Sequence, residues 1–301
     1  MISVLMLTYN REDMMSYAIE SILAQTYNNF EFIIVDNGST DNSAKIADTY
    51  AENDFRIRVI HRDRGTIGAG RNTALDAAKG DYITFIDDDD YVESDYLEFL
   101  LNLVVENNAD MSICGRTDRN FDEKKIMTAE EASIELLCRK HYSVGFPAKL
   151  FKASLFDGVR FLETIRYDDI ALMHKIIANA KRIAYCGHLK YNICRHDNNN
   201  SAWIKDNKLL DPKTLDEYLA AYHSRTEYLS ERFPNSTAAF RFFEWSFMLS
   251  MVEKINRLEI KNCEKQLKQM LPVLREHHEE FLNSPEIQDF EREWMEKYIK
   301  S

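Results

Sequence analysis

The residues that most constrain the fold are apolar runs with no polar face. Residues 2–7 and 30–35 read as buried strands, and residues 81–86 form a third such strand that leads into an acidic turn. A strand that is apolar on both sides needs cover on both sides. That is the situation of a parallel sheet with helices packed on each face. Helical patterns fill the gaps. Asn10 is placed to cap a first helix with Ile19, Ile22 and Leu23 on its inner face. A helix over 43–52 leads to a strand at 56–60. Gly65, Gly68 and Gly70 open another helix through Ala74, Leu75 and Ala78, and Gly80 stands where a C-cap is expected. Ser94 is expected to cap a helix reaching about residue 107, before a strand at 111–114. This β-α-β-α-β-α-β order predicts an α/β chain with a doubly wound, mainly parallel sheet flanked by helices, whose ligands sit at the carboxyl ends of the strands.

Past residue 120 the pattern loosens. Thr128 to Glu131 is a capping box, residues 146–151 are strand-like, residues 170–180 are helical, and 183–186 form a short strand. From about residue 206 the chain becomes helical, with Asp211 and Pro212 marking a helix start. Two domains are expected: residues 1–203 as the sheet domain and residues 204–301 as a helical C-terminal region for acceptor binding, packing or oligomerisation.

With 301 residues, 45% of them hydrophobic, the chain can bury a substantial core. Its net charge of −12 argues against a nucleic-acid partner, which needs a basic face. Five cysteines, an odd number with no C-x-x-C pair, read as reduced thiols in a cytoplasmic protein. Residues 1–7 are too short for a signal peptide core, and no stretch has the length and composition of a membrane span.

The strongest chemical feature is Asp87, Asp88, Asp89 and Asp90, directly after the strand residues 82–86. Adjacent carboxylates repel one another unless a cation neutralises them, and oxygen-only donors suit magnesium or manganese. A solvated acidic turn is the plain alternative; the position at a buried strand end favours the cation. Asp36 ends another strand and can accept hydrogen bonds from a nucleobase or a ribose, or serve simply as a turn residue. Arg62, Arg64 and Arg71 surround the glycine segment, where helix N-terminal amides plus Arg71 can hold a diphosphate. The segment matches neither the P-loop nor the dinucleotide fingerprint. Asp168 and Asp169 precede a helix; one can be a general base, or the two can be an N-cap pair.

Taken together these motifs resemble the bacterial family-two glycosyltransferases of the GT-A fold. The likeness runs over roughly residues 1–201. It is carried by residues 7–10, 21–27 and 34–41, by Arg71 and Asn72, by residues 85–91, and by Tyr167, Asp168 and Asp169. The resemblance implies that Thr8 and Tyr9 line the nucleobase pocket, that Asp36 hydrogen-bonds the base, usually uracil, and that Arg71 helps hold the nucleotide. It implies that Asp87 and Asp88 lie near the ribose and diphosphate, that Asp89 binds Mn2+ or Mg2+, and that Asp169 is the catalytic base, paired with Asp168. His196 falls where the family has a basic residue that closes over the diphosphate. The chain departs from the family in having Asp168 where Glu is usual, Arg64 and Gly70 where Asn and Ala are common, and Cys194 where Arg is common.

The expected activity is inverting, metal-dependent transfer of a hexose or N-acetylhexosamine from a UDP-sugar to a hydroxyl of a glycan, lipid-linked or protein-linked acceptor. A sugar-phosphate nucleotidyltransferase and a non-catalytic carbohydrate- or partner-binding scaffold are the alternatives. The nucleotidyltransferase would have a Gly-rich, basic loop after the first strand, where this chain has Thr8 to Glu12. Trp203 and Trp245 shape an acceptor groove or, as the aromatic spacing favours, pack between helices. A homodimer contact and peripheral contact with the inner face of a membrane are further roles open to the C-terminal helices. Lys254, Arg257, Lys261, Lys265 and Lys268 are interspersed with acids, which weakens the membrane reading.

Overall fold

The computed structural model describes residues 1–164, 168–195 and 210–299. They fall into two compact units, Met1–Cys194 and Arg195–Ser301. The domain boundary expected at 203–204 lies outside the described residues.

The first unit is built on four parallel strands, β1 (Ile2–Thr8), β2 (Phe30–Asp36), β3 (Ile57–His61) and β4 (Tyr82–Asp87), in the spatial order β3-β2-β1-β4. The helices of this unit are α1 (Met15–Leu23), α2 (Ser43–Asn53), α3 (Ile67–Ala77), α4 (Tyr96–Glu106), α5 (Ala129–Cys138) and α6 (Asp168–Asn179). The apolar runs are buried on both faces, as a doubly covered sheet requires. Ile2, Val4 and Met6 of β1 join Ile19 and Ile22 of α1 and Leu97 of α4 in one core. Leu5, pointing the other way, joins Ala74 and Leu75 of α3 and Met173 and Ile177 of α6 in a second. Thr128 and Glu131 form the expected capping box at α5.

Beyond β4 the sheet changes character. Strands β5 (Tyr91–Val92), β6 (Met111–Arg116), β7 (Lys124–Met127), β8 (Lys149–Lys152) and β9 (Ile183–Asn192) complete it. β8 is antiparallel to β4 and to β6, β9 runs parallel to β6, and both β5 and β7 lie antiparallel on β9. The strand expected at 111–114 therefore enters through an antiparallel neighbour. The β6–β9 pairing shifts register at Gly115, where an added Cβ would lie 2.1 Å from the Gly187 carbonyl oxygen. Backbone cannot yield as a side chain can, so Gly115→Ala is expected to cost about 2–3 kcal/mol of stability in urea unfolding.

Three local expectations are corrected. Asn10 does not cap α1, which starts five residues later at Met15. It adopts a left-handed φ of 52° and its side-chain oxygen accepts from the Thr40 amide at 2.8 Å, tying the loop after β1 to the loop after β2. Ser94 is not the cap of α4; Asp95 holds that place, and the Ser94 carbonyl accepts from the Thr26 amide. Gly80 is not a C-cap, because α3 already ends at Ala77. Its amide donates to the Ser3 hydroxyl at 2.8 Å, and the close approach leaves no room for a Cβ.

The second unit is helical: α7 (Pro212–Arg232), α8 (Thr237–Arg257), α9 (Glu264–Glu276), α10 (His278–Leu282) and α11 (Asp289–Tyr298). Asp211 caps α7 by accepting from the Thr214 amide at 2.8 Å, with Pro212 at the first position as expected. Trp245 is only 5% exposed and stacks on His277, as core packing of the aromatic stripe requires. Trp203 lies outside the described residues. Among the described residues no helix is long and apolar enough to cross a membrane. None of the five cysteines forms a disulfide.

Candidate active site at the carboxyl ends of the strands

β1 is flanked by β2 on one side and β4 on the other, so the chain winds away from it in both directions. This is the switch point at which open α/β sheets form a crevice. The register brings three candidate residues to that edge: Thr8 pairs with Asp36, and Leu7 with Asp87.

On the β2 side, Asp36 is nearly buried. One carboxylate oxygen accepts from the Ser39 amide at 3.1 Å, and the other faces His61 Nδ1 at 3.3 Å. The second ring nitrogen of His61 faces Asp48 at 3.0 Å. Burial works against the imidazolium, but the carboxylates of Asp48 and Asp36 outweigh it and raise the His61 pKa. His61 was not a sequence candidate. Its signal was available in hindsight: it ends β3 opposite Asp36 in register. Next to Thr8, the ring of Tyr9 carries the guanidinium of Arg64, centred 3.2 Å from the ring centroid. Arg64, one of the departures from the family pattern, thus covers the aromatic face expected to meet a base.

On the β4 side stand the four aspartates. Carboxylate oxygens of Asp87, Asp89 and Asp90 lie within 4.8 Å of one another. Asp90 is 5% exposed. The Tyr191 hydroxyl donates to one of its oxygens at 2.8 Å, and the Cys194 amide donates to the other at 2.8 Å. The Asp87 amide in turn donates to the Tyr191 hydroxyl at 3.1 Å, so Tyr191 braces both ends of the quartet. Burial, together with the neighbouring charge of Asp87, pushes the Asp90 carboxyl up to about 8. Burial likewise lifts Asp87 to about 6, with Arg71 pulling against it and Asp89 and Asp169 adding to it. Asp88 rises to about 7 through burial, opposed by the Thr8 hydroxyl and by Arg11, whose Nε lies 3.5 Å from it. Three converging carboxylates, with the ionised forms of Asp87 and Asp90 this costly, fit a hard divalent cation, which would relieve the repulsion. Asp90, which had no expected role, belongs to this cluster; only its partners 101 and 104 residues downstream, Tyr191 and Cys194, reveal it.

Arg71, in the second turn of α3, joins the two halves of the site. Its guanidinium donates to both oxygens of Asp168, at 3.1 and 3.2 Å, and lies 3.8 Å from Asp87. Burial disfavours its charge, but Asp168, Asp87 and Asp169 outweigh that and raise its pKa. Asp168 and Asp169, adjacent in sequence, are thereby separated in character. Asp168 is 2% exposed and engaged by Arg71; Asp169 is half-buried at the N-terminus of α6, with one oxygen accepting from the Ile170 amide at 2.8 Å. His196 and Tyr167 lie outside the described residues.

Lys149 also went unnoticed in the sequence, hidden in the strand-like run 146–151. It is 1% exposed, and its ammonium donates to the carbonyls of Gly145 and Pro147. Burial, with Arg116 adding to it, lowers its pKa to about 7, although Cys114 and Asp169 pull the other way. Between about pH 7 and the ordinary lysine value the unfolded chain therefore binds the extra proton, and stability rises with pH across that window. Relative to Lys149→Met, the wild type is expected to gain up to about 1.4 kcal/mol per pH unit from pH 7 to 9. Parallel denaturant melts at each pH measure the difference.

Comparison with known proteins agrees with this geometry. Residues 3–181 match the family described as glycosyl transferase family 2. Glycosyltransferase GlyG of Streptococcus pneumoniae is 35% identical over 203 residues, which is 62% of this chain and 67% of GlyG. The chain spans only 30% and 38% of two further curated relatives. Among solved structures, Staphylococcus aureus TarS 1–349, crystallised with UDP-GlcNAc, superposes with a TM-score of 0.61 at 18% identity, covering 84% of this chain and 81% of TarS. The mannosyltransferase PcManGT of Pyrobaculum calidifontis, crystallised with GDP-Man and Mn2+, gives 0.54 at 17% identity, covering 99% and 84%. These two share the GT-A fold found here. The chain belongs to glycosyl transferase family 2 and is a glycosyltransferase.

Proposed function

We propose that the protein transfers a hexose or N-acetylhexosamine from a UDP-sugar to a hydroxyl of a glycan, lipid-linked or protein-linked acceptor, with inversion and with Mn2+ or Mg2+. The observation that carries this reading is the convergence of Asp87, Asp89 and Asp90 within 4.8 Å at the end of β4, beside a carboxylate pair sorted by Arg71. The nucleotide-sugar complexes of TarS and PcManGT, one of them with Mn2+, support it.

In this reading Asp89, with Asp87 and Asp90, holds the metal. When bound, the ion supplies charge neutralisation for a departing nucleoside diphosphate. Asp36, Thr8 and Tyr9 receive the base, and Asp87 and Asp88 lie on the ribose and diphosphate side. Asp169 accepts the proton of the acceptor hydroxyl as that oxygen attacks the anomeric carbon. Asp168, its charge taken up by Arg71, anchors the start of α6 and keeps Asp169 in position. His196 is assigned to the diphosphate by resemblance alone.

The test is a panel of nucleotide sugars incubated with the protein, with and without Mn2+ or Mg2+. Metal-dependent release of UDP from one of them is expected. Release of pyrophosphate from a sugar phosphate and a nucleoside triphosphate would replace this reading with nucleotidyl transfer.

A further inference from the structure

Three residues from separate elements form a chain on the β2 side of the crevice. Asp36 ends β2, His61 ends β3, and the register pairs them. Paired residues of adjacent strands project to the same face of a sheet, which brings the imidazole to the carboxylate. His61 Nδ1 lies 3.3 Å from one Asp36 oxygen, and Nε2 lies 3.0 Å from Asp48, in the middle of α2. Both ring nitrogens thus face carboxylates. A neutral imidazole has one N–H and one lone pair. In either tautomer the lone pair would point at a carboxylate oxygen, and only the imidazolium donates to both. Burial disfavours that cation, but Asp48 and Asp36 outweigh burial and raise the His61 pKa. These two carboxylates, from α2 and β2, are the charged groups that act on the ring. On its own segment the neighbouring Arg62 packs its guanidinium against Gly65.

Asp36 is the carboxylate assigned above to the base. The terminal torsion of an Asp side chain is soft, so its plane is set by the donors it meets. Here the Ser39 amide donates to one oxygen at 3.1 Å and His61 holds the other. Each oxygen keeps a further lone pair for a ligand. Uracil offers an imide N–H to such an acceptor. Cytosine has a ring nitrogen with a lone pair at the same position, which a carboxylate repels.

We propose that His61 is a positioning residue for base recognition: as an imidazolium bridging Asp48 and Asp36, it holds the Asp36 carboxylate in the plane that receives the imide N–H of uracil. The proposal rests on the UDP-sugar reading above. Asp48, half-exposed on α2, acts on the base through His61. Because the folded pKa of His61 is raised, the bridge is complete below the ordinary histidine value and is lost as pH climbs through the raised one. Affinity for a uracil nucleotide falls over the same window.

The test uses the full chain. UDP and CDP are titrated by calorimetry, with Mn2+ or Mg2+, from about pH 6 to pH 8.5, into the wild type, His61→Ala and Asp48→Asn. The ratio of wild-type to variant affinity at each pH removes the titration of the diphosphate and of the acidic quartet, which the three proteins share. At the acid end His61→Ala is expected to bind UDP about tenfold more weakly than the wild type, and the deficit is expected to shrink toward none at the alkaline end. Its affinity for CDP is expected to change little, so the preference for UDP over CDP falls by the same factor. Asp48→Asn is expected to match the wild type at the acid end and to lose UDP affinity at a lower pH, because one of the two carboxylates that raise the His61 pKa is gone. A His61→Ala deficit that is constant with pH, equal losses for UDP and CDP, or an Asp48→Asn profile that superposes on the wild type would each overturn the proposal. Failure of the wild type to bind UDP with either ion would strike the UDP-sugar reading itself, so the two failures are distinguishable.

Discussion

Asp169→Asn is expected to lower turnover by roughly 10²- to 10⁴-fold, the range typical of a positioned general base, while leaving nucleotide affinity unchanged. The expectation follows from how α6 begins. Asp168 and Asp169 are adjacent, but only Asp168 is bound by Arg71 and removed from solvent. Asp169 keeps one oxygen on the Ile170 amide, which orients the carboxylate. An Asn keeps that acceptor and the shape of the side chain but cannot take a proton. Single-turnover kinetics with saturating donor separate the chemical step from binding. Turnover near the wild-type level would remove Asp169 from the role, and a parallel loss of nucleotide affinity would mean the substitution disturbs the site rather than the proton transfer.

The second large effect is expected in stability. Arg71→Met removes the counter-charge of a carboxylate whose side chain is 3% exposed. Breaking a buried pair from one side typically costs about 3–5 kcal/mol, or roughly 6–20 °C in Tm for a unit of this size. Burial already raises the Asp168 pKa, and Arg71 is the main force pulling it back. Without Arg71 the carboxyl moves further up and takes a proton in the folded state before it does so in the unfolded one. A group whose folded pKa is raised stabilises the fold at low pH and loses that contribution as pH climbs through the folded value. The variant is therefore expected to be most impaired at alkaline pH. Adding Asp168→Asn is expected to restore much of the stability, because no unpaired charge is then left buried. Equal losses at pH 5 and pH 8, with no rescue by the second substitution, would show that Arg71 stabilises through packing on Phe146 and Phe161 instead.

These two residues also show how far the sequence could be read. The parallel half of the sheet was legible because its strands are apolar on both faces, and that pattern has one structural solution. The acidic quartet was legible because it follows a buried strand without a break. The caps at Thr128 and Asp211 were legible because capping is a local event within three residues. What could not be read depends on pairings distant in the chain. Arg71 meets Asp168 across 97 residues, and Asp90 is held by Tyr191 across 101; neither partner carries any local mark of the other. Asn10 was misassigned for the opposite reason. A residue with good capping chemistry was instead used to bridge two loops at the strand ends, a role that only the proximity of β1 and β2 creates.

The family-level activity rests on the whole pattern, but the chemistry of the site rests on the acidic cluster. Calorimetric titration of UDP into the wild type and into Asp89→Asn, each with and without Mn2+, tests that cluster most directly. Binding by the wild type that depends on Mn2+, and loss of that dependence in Asp89→Asn, is the predicted result. Wild-type affinity for UDP that is the same with and without the metal would contradict the assignment of Asp87, Asp89 and Asp90 as its ligands.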